Sequence, residues 1–162
     1  MSQRAGVVDT DMGYKAVVAE IQKLDNSYVT VGFQMGEVTK SQTKGRRSKK
    51  AGLSMPEIAA QNEFGTAIIP ARPFMRPAVD LNRAKIDKAI GVQYDKILAG
   101  VSTVKKSLDL IGLFMTGLIH KQIRATLYPP NAKATIEMKK SSHPLIDFGQ
   151  MIQSVRHVVV IK

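Results

Sequence analysis

The sequence predicts an α+β fold, in which a small antiparallel sheet packs against three to four helices and a long basic loop or hairpin projects from it. Three observations predict this: apolar residues recur at helical spacing in several long segments, two short segments have the composition of β-strands, and one stretch is almost wholly polar. With 162 residues the chain has the usual length of one domain. We therefore expect a single domain over residues 1–162.

The first helix and the two strands follow from local patterns. A helix is expected over residues 12–25, where Val17 and Ile21 recur about one turn apart. Residues 28–33 (YVTVGF) alternate apolar and polar side chains, which indicates a strand. The terminal run over 155–162 (VRHVVVIK) is rich in Val and indicates a second strand, which we expect to pair with the first.

Three further helices are expected in the middle of the chain. Ser54 and Glu57 have the spacing of a capping box, which would start a short helix that runs through Phe64. Longer helices are expected over 77–100 and 104–127. Their buried faces are predicted to carry Val79, Ile86, Ile90 and Ile97 in the first of them, and Val104, Leu108, Ile111, Met115, Leu118 and Ile123 in the second.

Two segments are expected to be loops. Residues 128–144 are polar and follow a helix that Pro129 and Pro130 should end. Residues 36–53 have almost no apolar content, so they should form a mobile loop or a hairpin tip. Its basic side chains could contact DNA phosphates, dock on acidic protein surfaces or only aid solubility, and they are Lys40, Lys44, Arg46, Arg47, Lys49 and Lys50.

The charge of the chain limits its partners. Its 24 Lys and Arg residues exceed its 13 Asp and Glu residues, which gives a net charge of +11. Such an excess attracts polyanions such as nucleic acid, anionic lipid or an acidic protein surface. No apolar run approaches the roughly 20 residues that span a bilayer. We expect a soluble protein, made in the cytoplasm, without a membrane partner.

The sequence shows no recognisable catalytic frame. There is no Cys, which excludes disulfides and thiolate metal sites. His120, His143 and His157 are far apart and do not form an H-E-x-x-H motif, and no phosphate-binding glycine loop occurs. Glu137-Met138-Lys139 matches the E-x-K element of metal-dependent nucleases but lacks the upstream Pro-Asp partner. We therefore expect no enzymatic activity, no bound metal and no cofactor.

Residues 63–80 (EFGTAIIPARPFMRPAVD), here called the proline segment, contain three of the seven prolines. Each proline fixes φ and restricts the residue before it, so the segment should be stiff and extended. We expect Phe74 and Met75 to enter the core while Arg72 and Arg76 point outward. A stiff segment with fixed arginines suits a contact surface, because little entropy is lost on binding. The alternative is a connector that only turns the chain between two helices.

The proline segment resembles a stretch found in tail-completion and head–tail joining proteins of long-tailed bacteriophages, the virion-morphogenesis family. Residues 129–155 (PPNAKATIEMKKSSHPLIDFGQMIQSV) resemble a second stretch of that family. The two stretches, with the helices between them, cover about the last two thirds of the chain. Phe148 stands where the family usually has Thr, so that Asp147 is expected to supply the capping oxygen of the short helix that follows.

The resemblance implies a structural virion protein of the phage neck, which completes the tail and joins it to the head without catalytic chemistry. It implies assembly in the bacterial cytoplasm into a ring, possibly a hexamer, that contacts tail terminator or tail tube proteins and head–tail connector proteins. Packaged DNA could also touch the ring. The subunit interface is expected at Phe64, Arg72, Phe74, Arg76 and Asp147. Alternatives are a stand-alone basic DNA-binding module, or another neck component such as a tail terminator or head-side connector.

Overall fold

A computed structural model of the chain describes residues 11–34, 54–125, 128–139, 142–146 and 149–162. The described helices are α1 (Tyr14–Leu24), α2 (Met55–Phe64), α3 (Met75–Asp80), α4 (Arg83–Leu98), α5 (Val104–Arg124), α6 (Lys133–Lys139) and α7 (Gln150–Gln153). The described strands are β1 (Tyr28–Phe33) and β2 (Val155–Val160). The predicted basic loop over 36–53 lies outside the described residues.

The α+β fold is confirmed. β1 and β2 form an antiparallel two-stranded sheet, in which Tyr28 is opposite Val160 and Phe33 is opposite Val155. The 21-residue helix α5 lies against both strands and also contacts α3 and α4. A two-stranded sheet needs such support, because an isolated pair of strands is marginally stable in water.

The core lies where α2, α3, α5, α7 and β2 meet. Phe74 is fully buried there and packs edge-on against Phe33, with 6.0 Å between the ring centroids. Ile119 and Ile123 reach this cluster from α5, and Val155 reaches it from β2. The expectation that Phe74 enters the core is confirmed, and the proline segment is thereby anchored to the centre of the molecule.

The start of α2 follows the predicted capping box. The hydroxyl of Ser54 accepts a hydrogen bond from the backbone N–H of Glu57 at 3.4 Å, and the Glu57 carboxylate accepts one from the backbone N–H of Ser54 at 2.7 Å. Together they satisfy two N–H groups that have no partner within the helix. Gly65 follows the last residue of the helix at φ 76°, a conformation that favours glycine.

The long helix predicted over 77–100 is instead two helices, α3 and α4. The break lies at Asn82, whose side-chain amide donates a hydrogen bond to the backbone carbonyl oxygen of Ala78 at 3.0 Å. The backbone carbonyl oxygen of Asn82 accepts hydrogen bonds from the backbone N–H groups of Lys85 and Ile86 at the start of α4. Asn competes for backbone partners in this way, which lowers its preference for a helix interior. Of the four residues predicted on the buried face of that long helix, Ile97 is buried, Val79 and Ile86 are partly buried, and only Ile90 is exposed, at 46%.

The buried face of α5 differs from the apolar face that the sequence predicts. Val104 and Ile123 are buried as expected, but Leu108, Ile111, Met115 and Leu118 are only partly buried. The strand β2 approaches α5 most closely at Gly112, where a β-carbon would lie 2.7 Å from the ring of His157, so that position favours the smallest residue. The residues buried between the two ends of α5 are Ser107, Gly112, Thr116 and Ile119.

The polar loop predicted over 128–144 contains the short helix α6. Its sequence, KATIEMK, is rich in good helix formers such as Ala, Glu, Met and Lys. The carbonyl oxygen of Ala132 accepts hydrogen bonds from the backbone N–H groups of Thr135 and Ile136, which begins the helix. The prediction of a loop rested on polarity and is wrong for Lys133–Lys139, because these polar residues also have a high helix propensity.

Candidate subunit-contact surface

Glu63 holds the first turn of α3 in place. This residue lies near the end of α2 and is only 4% exposed. Its carboxylate accepts hydrogen bonds from the backbone N–H groups of Phe74 at 2.7 Å, Met75 at 2.9 Å and Arg76 at 3.1 Å. These donors have no partner within α3, and a negative charge is favourable at a helix N-terminus. The carboxylate of Glu63 therefore links the end of α2 to the start of α3.

The charge state of Glu63 follows from these contacts. Burial on its own raises the pKa of a carboxyl group, and this is the largest single effect on Glu63. The hydrogen bonds from Met75, Phe74 and Arg76 act in the opposite direction and together outweigh it, so the pKa of Glu63 lies below its ordinary value. Glu63 is therefore ionised at neutral pH and acts as a fixed negative charge beneath the surface.

An exposed aromatic and basic pair lies directly above Glu63. The guanidinium carbon of Arg76 lies 5.3 Å from the centroid of the Phe64 ring, a cation–π distance. The Nε atom of Arg76 is also 3.5 Å from Glu63 Oε1. Phe64 is 68% exposed and the Arg76 side chain 66% exposed. The Phe64–Arg76 pair is thus in contact with the buried Glu63 carboxylate on one side and exposed to solvent on the other.

The loop between α2 and α3 is closed by its own backbone. The Thr66 N–H donates to the carbonyl oxygen of Ile69 at 2.8 Å, and the Thr66 hydroxyl accepts from the N–H groups of Ile68 and Ile69. A β-carbon at Gly65 would lie 2.8 Å from the backbone nitrogen of Ala71, so the turn requires glycine. Ile68 at the tip is 93% exposed and lies close in sequence to Phe64.

Arg72 points inward, and the expectation that it points outward is wrong. It is 6% exposed, and its Nε and Nη2 atoms donate to the carbonyl oxygens of Pro129 at 3.0 Å and Pro130 at 3.3 Å. Burial lowers the pKa of Arg72. The guanidinium supplies donors to carbonyl groups of a Pro-Pro segment, where the prolines cannot provide N–H groups. Arg72 therefore ties the proline segment to residues 129–155.

The structure divides the predicted interface residues into two groups. Phe64 and Arg76 lie together at the surface, whereas Arg72 and Phe74 are buried and support the loop from within. Asp147 lies outside the described residues, as do Lys40, Lys44, Arg46, Arg47, Lys49 and Lys50. Sequence reasoning missed Glu63, because Phe74 lies eleven positions after it and no local pattern links a carboxylate at the end of one helix to the start of a later helix.

His143 and His157 each contact a residue of α5 through a hydrogen bond. His157 Nε2 on β2 lies 2.8 Å from Asp109 Oδ1 on α5, and His143 Nε2 lies 3.1 Å from the carbonyl oxygen of Arg124. Burial lowers the pKa of His120. Among the described residues, no group of three or more His, Asp or Glu residues could hold a metal ion. Within the same ranges, no helix is long and apolar enough to span a membrane.

Comparison with protein-family models, with curated proteins and with solved structures finds no match to this chain.

Proposed function

We propose that this chain is a structural subunit of a bacteriophage neck, which completes the tail and joins it to the head as part of a ring. The observation that carries the proposal is the exposed Phe64–Arg76 pair, in which the backbone N–H and the Nε of Arg76 both contact the buried carboxylate of Glu63. Aromatic residues and Arg contribute most of the binding energy at protein interfaces. A surface that is already ordered loses little entropy when it binds.

Contact between the two segments that resemble neck proteins also supports the proposal. Arg72 of the proline segment bonds to Pro129 and Pro130, which begin the second segment. Phe74 from the first and Val155 from the second share one core cluster. The residues that carry the resemblance thus form one structural unit, as expected if they serve one common task.

The proposed partners are other copies of this chain, tail terminator or tail tube proteins and head–tail connector proteins. The chain would be assembled in the bacterial cytoplasm and become part of the virion. The nearest alternative within this proposal is another layer of the neck, such as a tail terminator or a head-side connector, which would use the same kind of rigid contact surface.

The test is a complementation experiment in a phage or prophage that encodes this chain. We expect Arg76→Gln to reduce the yield of joined particles at least tenfold, because it removes the exposed charge without placing a second carboxylate beside Glu63. Lys15→Gln removes the same charge from an exposed position of α1 and is the matched control. A normal particle yield with Arg76→Gln would contradict a contact role for the pair.

The net charge of +11 favours a second candidate, a stand-alone module that binds duplex DNA through Lys40, Lys44, Arg46, Arg47, Lys49 and Lys50. This candidate predicts tight binding of duplex by the purified chain, with affinity that falls steeply as salt rises. A fluorescence anisotropy titration at about 50 and 200 mM salt measures both. Absence of binding at the lower salt concentration would end this candidate.

A further inference from the structure

Helix α1 has few close contacts with the rest of the molecule. None of its eleven residues is buried, and Tyr14 and Ile21 are 76% and 38% exposed. Among the described residues, the core cluster includes side chains from α2, α3, α5, α7 and β2 but none from α1. A helix of this length is marginally stable by itself in water, so α1 depends on a small number of contacts with its neighbours.

A cavity of about 710 Å³ lies between α1 and the turn that joins α4 to α5. The small side chains of Ala16 and Ala19 line it on the α1 side, and Ile97 lines it on the α4 side. Close packing occurs at Gly100, where a β-carbon would lie 3.3 Å from Cγ2 of Val17. Side chains that line a cavity lose dispersion contacts there, so packing stabilises the position of α1 only weakly.

A carboxylate joins α1 to the first turn of α5. Glu20 Oε2 accepts a hydrogen bond from the backbone N–H of Val104 at 2.7 Å. Val104 is the first residue of α5, so its N–H has no partner within that helix, and a negative charge is favourable at this position. Within the described ranges, this is the one hydrogen bond that links a side chain of α1 to another helix or strand.

The charges around the cavity favour this position of α1 while Glu20 is ionised. Of the described residues that line the cavity, Glu20 and Lys23 on α1 and Lys106 on α5 are charged, and those from α4 and the turn are not. Lys23 Nζ lies 2.6 Å from Glu20 Oε1. The hydrogen bonds from Lys23 and from Val104 lower the pKa of Glu20. Without the carboxylate charge, two lysines would remain near the positive end of the α5 dipole.

The residues on both sides of α1 suit a hinge. Gly13 precedes the helix at φ 97°, and Asn26 follows it at φ 68°. Glycine and asparagine adopt a positive φ at lower cost than other residues. The sheet begins directly after this turn, where Tyr28 is opposite Val160. A rotation within residues 25–27 can therefore move α1 without a change in strand pairing.

We propose that α1 is a hinged strap, which the ionised Glu20 side chain holds against the first turn of α5. When this contact is lost, α1 moves away by rotation within residues 25–27, while the sheet and the rest of α5 stay folded. The movement exposes Ile97, which is 3% exposed in the closed position and lines the cavity. This inference rests on the contacts of α1 and does not depend on the proposed function.

Hydrogen exchange of the full-length chain, followed by mass spectrometry, tests the strap. The backbone N–H groups of α1 should exchange faster than those of β1 and of residues 112–124 in α5, because α1 opens by itself. Glu20→Gln should speed the exchange of α1 about tenfold, since it removes a hydrogen bond to a charged group, and should leave the other two segments unchanged.

Asp25→Asn is the matched control for Glu20→Gln. It removes the same charge from an exposed residue directly after α1, and no contact with α5 is lost. We expect Asp25→Asn to change the exchange rate of α1 less than about twofold. Faster exchange of β1 and α5 together with α1 in Glu20→Gln would indicate general destabilisation and overturn the inference.

Acid should have the same effect as Glu20→Gln. The pKa of Glu20 in the closed position lies below the ordinary 4.5, so the closed position binds fewer protons than the open one. The stabilisation by Glu20 is complete above about pH 4.5 and is lost as the pH falls through the lowered pKa. Protection of α1, corrected for the intrinsic exchange rate, should therefore fall from about pH 6 to about pH 3.5 in the original chain but not in Glu20→Gln.

A disulfide provides a reversible test, because the chain contains no native Cys. The contact between Val17 and Gly100 is close enough for a disulfide. Val17→Cys with Gly100→Cys, added to Glu20→Gln, should slow the exchange of α1 when oxidised and speed it again when reduced. The reduced protein is the control for strain, since Gly100 has φ 69°.

Three results would overturn the inference. The first is exchange of α1 that is as slow as exchange of β1 and α5 in the original chain. The second is exchange of α1 in Glu20→Gln that is no faster than in Asp25→Asn. The third is a disulfide between positions 17 and 100 that forms but leaves the exchange of α1 unchanged.

Discussion

A single buried carboxylate determines how the proline segment is held. Glu63 accepts three backbone hydrogen bonds from the first turn of α3 and lies beneath the Phe64–Arg76 pair. The prolines stiffen the segment, but they do not fix its direction relative to α2. Glu63 supplies that link, because one charged group satisfies N–H donors that would otherwise be left without partners in the interior.

Replacement of Glu63 tests this role. We expect Glu63→Gln to lower the free energy of unfolding by about 1–3 kcal/mol, because an amide offers one acceptor oxygen in place of two and leaves a buried donor unsatisfied. Urea denaturation followed by circular dichroism measures the change. Glu57→Gln, which alters an exposed cap, is the control and should cost less. An equal or smaller loss with Glu63→Gln would contradict the proposed anchoring.

The pH dependence of stability provides a second test of Glu63. Its pKa in the folded chain lies below the ordinary 4.5, so the folded state binds fewer protons than the unfolded state in that range. The stabilisation from Glu63 is therefore complete above about pH 4.5 and is lost as the pH falls through the folded pKa. The stability difference between the original chain and Glu63→Gln should shrink from pH 6 to about pH 3. A difference that is constant with pH would contradict this.

At the scale of the element, two glycines of α5 should respond in opposite directions to the same change. Gly112→Ala should lower stability by about 1–3 kcal/mol, because its β-carbon would meet the ring and β-carbon of His157 at 2.7 and 2.8 Å. Gly117→Ala should raise stability of the monomer by about 1 kcal/mol, because nothing described lies within 4 Å. Thermal melting of both variants is the measurement, and shifts of the same sign would show that the packing of α5 on β2 is misassigned.

Elements with local signals could be predicted from the sequence. β1 begins and ends as the alternation over 28–33 indicates, and the capping box at Ser54 and Glu57 starts α2. These signals depend on a few neighbouring residues. The break between α3 and α4 was missed because it depends on the hydrogen bond from the Asn82 side chain to the backbone carbonyl of Ala78. The spacing of apolar residues does not predict such a bond.

The candidate surface could be predicted only in part, because its assembly is not local. The sequence indicated that Phe74 lies inside, which the structure confirms. It could not indicate that Arg72 turns toward Pro129, since 57 positions separate the two residues. Gly112 and Thr116 likewise lie on the buried side of α5. The spacing of large apolar residues could not predict their burial, because neither residue is a large apolar one.

At the scale of the whole molecule, the chain has a net charge of +11 and exposes more than one candidate contact surface. The Phe64–Arg76 pair projects near α2 and α3, and the helices α4 and α5 expose apolar side chains that include Tyr94 and Phe114. A ring subunit needs different surfaces for its own neighbours and for the layers above and below it. The arrangement of these surfaces on one domain supports the proposed place in a phage neck.

Electron microscopy of particles from a phage or prophage that lacks this gene tests the central claim most directly. We expect filled heads beside unjoined tails with irregular upper ends, and restoration of joined particles when the original chain is supplied in trans. Intact particles in normal numbers without the gene would contradict the proposed role in the neck.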